Sequence, residues 1–245
     1  MTVTMAAVVC VVVGATSVLG GVTGFGAALL ATPLLLVIGM DVTDTVVVNL
    51  MIGLATRCGT AAQLFAAIDR RCVALLSAGC LPGILVGAIT LDITPQALLK
   101  FLAGIAVIVC GVMMARRVRA GVRQPTRSIQ FLTGLLSGYL SATTSLTGPA
   151  PALMLLRSGT TPVAFIANIS GYLIVACAAT LAVLAVQGGL TGISFWPWMP
   201  ALIVTAVVCN RLGLKIAHHV KGATFQAIVA TLVIVAGIGT CVTAL

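Results

Sequence analysis

The chain has 245 residues, of which 60% are hydrophobic and only 7% charged, and its mean hydropathy is +1.24. A soluble domain carries about 25% charged residues, so a water-soluble fold of this size is excluded. The net charge of +9 does not call for nucleic acid, because the basic residues sit in short loops between apolar runs, as in cytoplasmic membrane loops.

In chain order, apolar segments run at about 5–39, 44–66, 71–91, 96–115, 129–157, 162–187, 195–215 and 222–244. A bilayer span needs roughly 20 apolar residues, and backbone polar groups in lipid must be satisfied within a helix or a closed barrel. Barrel strands would be short and alternating; these runs are long and apolar on every face. The expected fold class is therefore all-α, a polytopic transmembrane helical bundle. The first run has no Lys or Arg before it, so it lacks the n-region of a signal peptide and is read as a membrane element. Eight cysteines are scattered without a CxxC pair, which favours small buried hydrophobes over disulfide or metal chemistry.

Two segments are too long for one ordinary span. The first, 5–39, contains Gly20-Gly21-Val22-Thr23-Gly24-Phe25-Gly26, and the other, 129–157, contains Ser141-Ala142-Thr143-Thr144-Ser145-Leu146-Thr147-Gly148-Pro149. Mid-segment glycine is costly in a helix and Pro149 removes a backbone donor, so both stretches are expected to be broken helices. Each break opens a similar half. Pro33, Gly39, Asn49 and Gly53 follow the first; Pro151, Gly159, Asn168 and Gly171 follow the second, and Gly87 and Gly111 match Gly213 and Gly237. The chain is thus expected to be a single transporter domain, 1–245. Its first repeat covers about 1–115, a basic cytoplasmic linker about 116–128, and its second repeat about 129–245. If each long segment is a hairpin returning to its starting side, then Arg70/Arg71, Arg116–Arg127, Arg157 and Lys215/Lys221 share one face. Asp41, Asp44 and Asp92 take the other. That arrangement satisfies the positive-inside rule and makes the halves inverted.

At these residues the sequence resembles the TauE/SafE sulfite-exporter family (TSUP) over nearly its whole length. The likeness lies in Gly20–Gly26 followed by Ala-Leu-Leu-Ala-Thr-Pro33-Leu-Leu, in Leu146-Thr147-Gly148-Pro149, in the basic mid-loop and in a Leu81-Pro82-Gly83 turn. It departs from the family pattern where Val22, Thr23 and Phe25 interrupt a denser glycine run. The resemblance implies a carrier, chiefly an exporter, of small sulfur-containing or organic anions such as sulfite, sulfoacetate or other sulfonates.

A broken helix exposes backbone N–H groups and the positive end of a half-helix dipole, which together hold an anion. In inverted repeats two such breaks meet near the midplane. The expected substrate site therefore comprises Thr23, Gly24, Phe25 and Gly26 from one break and Thr143, Thr144, Ser145, Thr147 and Gly148 from the other. Small residues that merely allow close helix packing are the alternative. Arg57, deep within an apolar segment, is a candidate counter-charge, or else a snorkelling or carbonyl-fixing side chain. Asn49 and Asn168 hold comparable places in the two halves and complete the set, although an Asn bridging two helices would look the same.

The chain contains no Glu, and its four Asp lie at or near loops, so no membrane carboxylate is available for proton coupling. His218 and His219 sit in a loop beside Lys215 and Lys221. No catalytic motif or metal-ligand cluster is evident; no cofactor, metal or catalytic residue is expected. The expected partners are a small anionic substrate and the bilayer of the inner cell membrane, basic loops on the cytoplasmic face, and no nucleic acid. A homodimer is one assembly open to such a bundle. The rival readings are a carrier of a different small solute, and an assembly protein that binds partner helices.

Overall fold

A computed structural model describes residues 3–40, 42–93, 125–144, 147–186 and 196–217, together with isolated helical positions within 105–112 and 227–238. The described residues form eight α-helices and two 3-10 turns. The helices are α1 (Val3–Thr23), α2 (Gly26–Val37), α3 (Val42–Gln63), α4 (Arg70–Ile93), α5 (Arg127–Thr144), α6 (Pro149–Arg157), α7 (Pro162–Val186) and α8 (Met199–Ala217). The turns are Phe65–Ala67 and Trp196–Trp198. Apart from those isolated positions, expectations for the segments 96–115 and 222–244 lie outside the described residues, as do those for 116–124, Ser145, His218 and His219.

Five helical stretches are long and apolar enough to cross a bilayer: Met5–Thr23, Asp44–Gln63, Arg70–Thr90, Pro162–Val186 and Trp196–Ala217. Their outward faces agree with that length. Val204, Val208, Leu212 and Ile216 recur every four residues along α8 and are each at least half exposed, a stripe that water would not tolerate but lipid does. The chain is a multi-pass, all-α membrane protein. By contrast α2, with 12 residues, is about 18 Å long, and α6, with 9, about 14 Å. Neither can cross a hydrocarbon core of about 30 Å.

These two short helices follow the two breaks. Gly24 adopts φ +83°, a left-handed conformation that costs other residues energy, and the chain reverses there. α2 then runs back along α1: Gly20 faces Ala27, while Val9 and Val13 share one buried cluster with Ala31 and Leu35. The second break falls later than its sequence suggested. α5 continues through Ser141 to Thr144, with the Thr143 hydroxyl donating to the Tyr139 carbonyl at 2.9 Å, one helical turn back. α6 opens on Pro149 after Gly148, where a proline's missing N–H would have had no helical partner in any case.

Leu81-Pro82-Gly83 is not the turn expected of it; Pro82 lies inside α4. The reason is the neighbouring helix. Gly79, Gly83 and Gly87 bring α4 against the backbone of Phe131, Leu135 and Tyr139 in α5, and Gly134 and Gly138 return the contact at Leu76 and Cys80. Backbone-to-backbone packing along this glycine seam is the main source of helix association in lipid. It offsets the roughly 3 kcal/mol that an internal proline costs. α1 and α8 meet in the same way, with Gly21 against Asn210 and Leu214, and Gly213 against Val18.

Candidate functional site

Two buried apolar clusters flank the junction of the breaks, one around Leu76, Phe165, Ile169 and Tyr172, the other around Val9, Leu35, Val48 and Leu202. Between them lies a cavity of about 50 Å³. One water occupies roughly 10–15 Å³ by that measure, so the space suits a few waters or one small oxyanion. On α3 its lining runs from Asn49 through Gly53 to Arg57, and on α7 it includes Leu173 and Cys177. Both stretches fall near the middle of helices that are long enough to cross.

The two breaks touch. Phe25 sits on Gly148 so closely that a Cβ added there would overlap the ring. The same ring packs against Phe165, centroids 6.3 Å apart and planes tilted by 57°. Phe25, Thr147 and Gly148 all line the cavity, as do Ala27 and Ala28 in the first turn of α2. The first N–H groups of a helix have no carbonyl of their own helix to bond, and here that end faces the cavity. The second break is poorer in donors, because Pro149 and Pro151 remove two N–H groups from the first turn of α6.

Arg57 is 3% exposed. Its NH1 group donates to the Gly20 carbonyl at 3.3 Å, near the C-terminal, electronegative end of α1. Among the described residues this is its one hydrogen bond, and no carboxylate of them lines the cavity beside it. A guanidinium carries five donors, so most of its hydrogen-bonding capacity is left for the cavity. Asn49 lines the same space and anchors α3 to α2, its Nδ2 donating to Thr32 Oγ1 at 3.0 Å.

Other expected residues take different places. The Thr23 hydroxyl is spent within the first break: it donates to the Leu19 carbonyl at 2.8 Å and accepts the Gly26 N–H at 2.9 Å. It caps α2 and shapes the site without facing it. Gly24 packs on Ile166 and Ile169. Thr143 is turned to its own helix, and the Thr144 side chain and Ser145 lie outside the described residues. Asn168 stands apart from the cavity. Its Oδ1 accepts the Asp69 N–H at 2.6 Å, while Asp69 in turn caps α4 through the Arg71 and Cys72 N–H groups, at 3.0 and 3.2 Å.

Thr147 belongs to a buried hydroxyl network. It donates to Ser141 at 2.9 Å, and Ser141 meets Thr180 at 2.9 Å, which donates to the Ala176 carbonyl at 2.9 Å. From the other side Tyr172 donates to Ser137 at 2.7 Å, and Ser137 donates to the Thr147 carbonyl. With every member partnered, the network fixes the second break rigidly. Sequence reasoning missed Ser17, Thr16 and Cys177 on the cavity wall. The available signal was helical spacing: Val13, Thr16, Ser17 and Gly20 fall on one face of α1.

The fold is that of a multi-pass membrane protein in which two half-length helices meet at a largely apolar cavity that Arg57 and a few hydroxyl and amide side chains line. The chain belongs to the sulfite exporter TauE/SafE family, whose sequence model matches residues 8–240. Comparison with curated proteins and with solved structures gave no match.

Proposed function

We propose that the protein moves small sulfur-containing oxyanions, such as sulfite, across the inner membrane through the cavity between the two breaks. One observation carries this reading: a buried arginine lines a cavity in which no carboxylate of the described residues accompanies it. A buried charge without a partner is costly, and an anion in the cavity would supply the missing charge. The first turn of α2 adds donors and a favourable dipole. The two broken hairpins open two repeats, about 1–115 and 129–245, of opposite orientation, and alternating access arises from their rocking about the cavity. The basic loops face the cytoplasm. Transport rather than catalysis follows from the same features.

The energetics favour a voltage-driven step. An inside-negative potential assists exit of a net charge by about 2.3 kcal/mol per 100 mV. In proteoliposomes without a pH gradient, sulfite flux is expected to rise when a potential is imposed with the anion on the negative side. Flux that requires a pH gradient and ignores voltage would contradict this coupling.

The Phe25–Gly148 contact supplies another test. Gly148→Ala places a methyl group where the ring now lies, so the ring must turn toward the cavity. Sulfite affinity is expected to fall about tenfold by calorimetry, and Phe25→Leu in the same chain is expected to restore most of it. Failure of that second change to rescue binding would mean that Gly148 acts on the site by another route.

A further inference from the structure

We propose that Ser17 is a direct ligand of the transported anion, donating its hydroxyl to one oxygen while Arg57 holds another; this rests on the reading of the cavity as the anion site. Helical hydroxyls in this protein have a usual destination, the carbonyl one turn back. Thr16 donates to Val12 at 2.8 Å, Thr32 to Ala28 at 2.8 Å, Thr56 to Ile52 at 2.8 Å and Thr180 to Ala176 at 2.9 Å. Such bonds let a hydroxyl sit inside an apolar bundle without a further partner.

Ser17 departs from this habit. It is 1% exposed, and among the described residues its Oγ has no hydrogen-bond partner. The carbonyl it would ordinarily use belongs to Val13, and the Thr16 hydroxyl already approaches that oxygen at 3.2 Å. Three other hydroxyls, those of Thr45, Ser77 and Ser170, are also buried without a partner, but none of them lines the cavity, whereas Ser17 does. A buried donor left unmade is costly. Ser17 stands in the wall of a space also lined by Arg57, and its hydroxyl is accounted for if it turns to a ligand lodged there.

Position supports the pairing. Ser17 precedes Gly20 by three residues on one face of α1, and the Gly20 carbonyl is the one that Arg57 bonds. An anion lodged there meets both groups when it presents at least two acceptor oxygens.

The experiment is calorimetric titration of sulfite into the purified full chain, as wild type and as Ser17→Ala, with thermal unfolding of both measured without anion. Ser17→Ala removes an unpartnered hydroxyl and little else. It is expected to weaken sulfite binding about tenfold and to keep or raise the midpoint of unfolding. Equal sulfite affinity in wild type and variant would overturn the role of Ser17 while leaving the cavity as the anion site. A lower unfolding midpoint without anion would assign the hydroxyl to folding instead and overturn it too. If the wild type itself binds no sulfite, the reading of the cavity falls, and this inference with it.

Discussion

Arg57→Gln is expected to weaken sulfite binding at least a hundredfold while the protein remains folded. Two unit charges 4 Å apart attract by about 4 kcal/mol at an effective dielectric of 20, and each 1.4 kcal/mol is a factor of ten in affinity. Removing the one cation that the described residues place on the cavity wall therefore reaches well beyond the effect of any single hydroxyl. Stability without anion moves far less, because two contributions oppose. The variant loses the bond to Gly20 and the favourable charge near the end of α1, but it also sheds the cost of burying an arginine. Arg57→Lys keeps the charge and loses the planar fork that serves two acceptors at once, so its affinity should fall between the two. Sulfite titration of the three proteins, with circular dichroism to establish that each is folded, checks the order. An Arg57→Gln variant that binds sulfite as the wild type does would remove the counter-charge from the account.

The second large effect concerns the fold. Gly83→Val is expected to destabilise the protein severely, because even a Cβ at that position falls inside the Leu135 carbonyl, a backbone atom that cannot rotate away. Overpacking costs about 1–3 kcal/mol where side chains can adjust, and here two helix backbones must separate. The thermal midpoint should drop by about 10 °C or the protein should fail to accumulate, given about 2–4 °C per kcal/mol for chains of this size. Gly59→Ala is the internal control. Among the described residues nothing lies within 4 Å of a Cβ at Gly59, and alanine in mid-helix is favoured over glycine by about 1 kcal/mol. Its midpoint should be unchanged or raised. Similar losses in both variants would mean that close backbone packing at the seam is not what sets Gly83 apart from Gly59.

The contrast between those glycines marks what the sequence could and could not disclose. Composition alone fixed the class, since so apolar a chain has no soluble option. The breaks were legible because Gly24 and Pro149 each violate a local rule of helix geometry, and the hairpin of α1 and α2 followed from segment length. Arg57 announced itself as a charge with no business in an apolar run. Ser17 did not, being one small polar residue among many; what distinguishes it is the absence of a bond, which only three-dimensional neighbours reveal. Thr23 and Asn168 looked like ligands because a hydroxyl or amide near a break can serve either the ligand or the backbone, and local pairing decides which. In both cases the backbone took it, Thr23 at Gly26 and Asn168 at Asp69. Pro82 misled for a related reason: a proline signals a turn in isolation, and the helix packed against its own lies about fifty residues away in sequence.

The central claim is that the cavity between the breaks is where the anion sits. Selenite has the charge and shape of sulfite and scatters anomalously, so crystals of the protein grown or soaked with selenite can locate it directly. The expected result is an anomalous peak enclosed by Arg57, Ser17, Phe25 and Gly148, absent from crystals of the Arg57→Gln variant. A peak confined to the basic loops, or one within the cavity that persists undiminished when Arg57 is replaced, would contradict it.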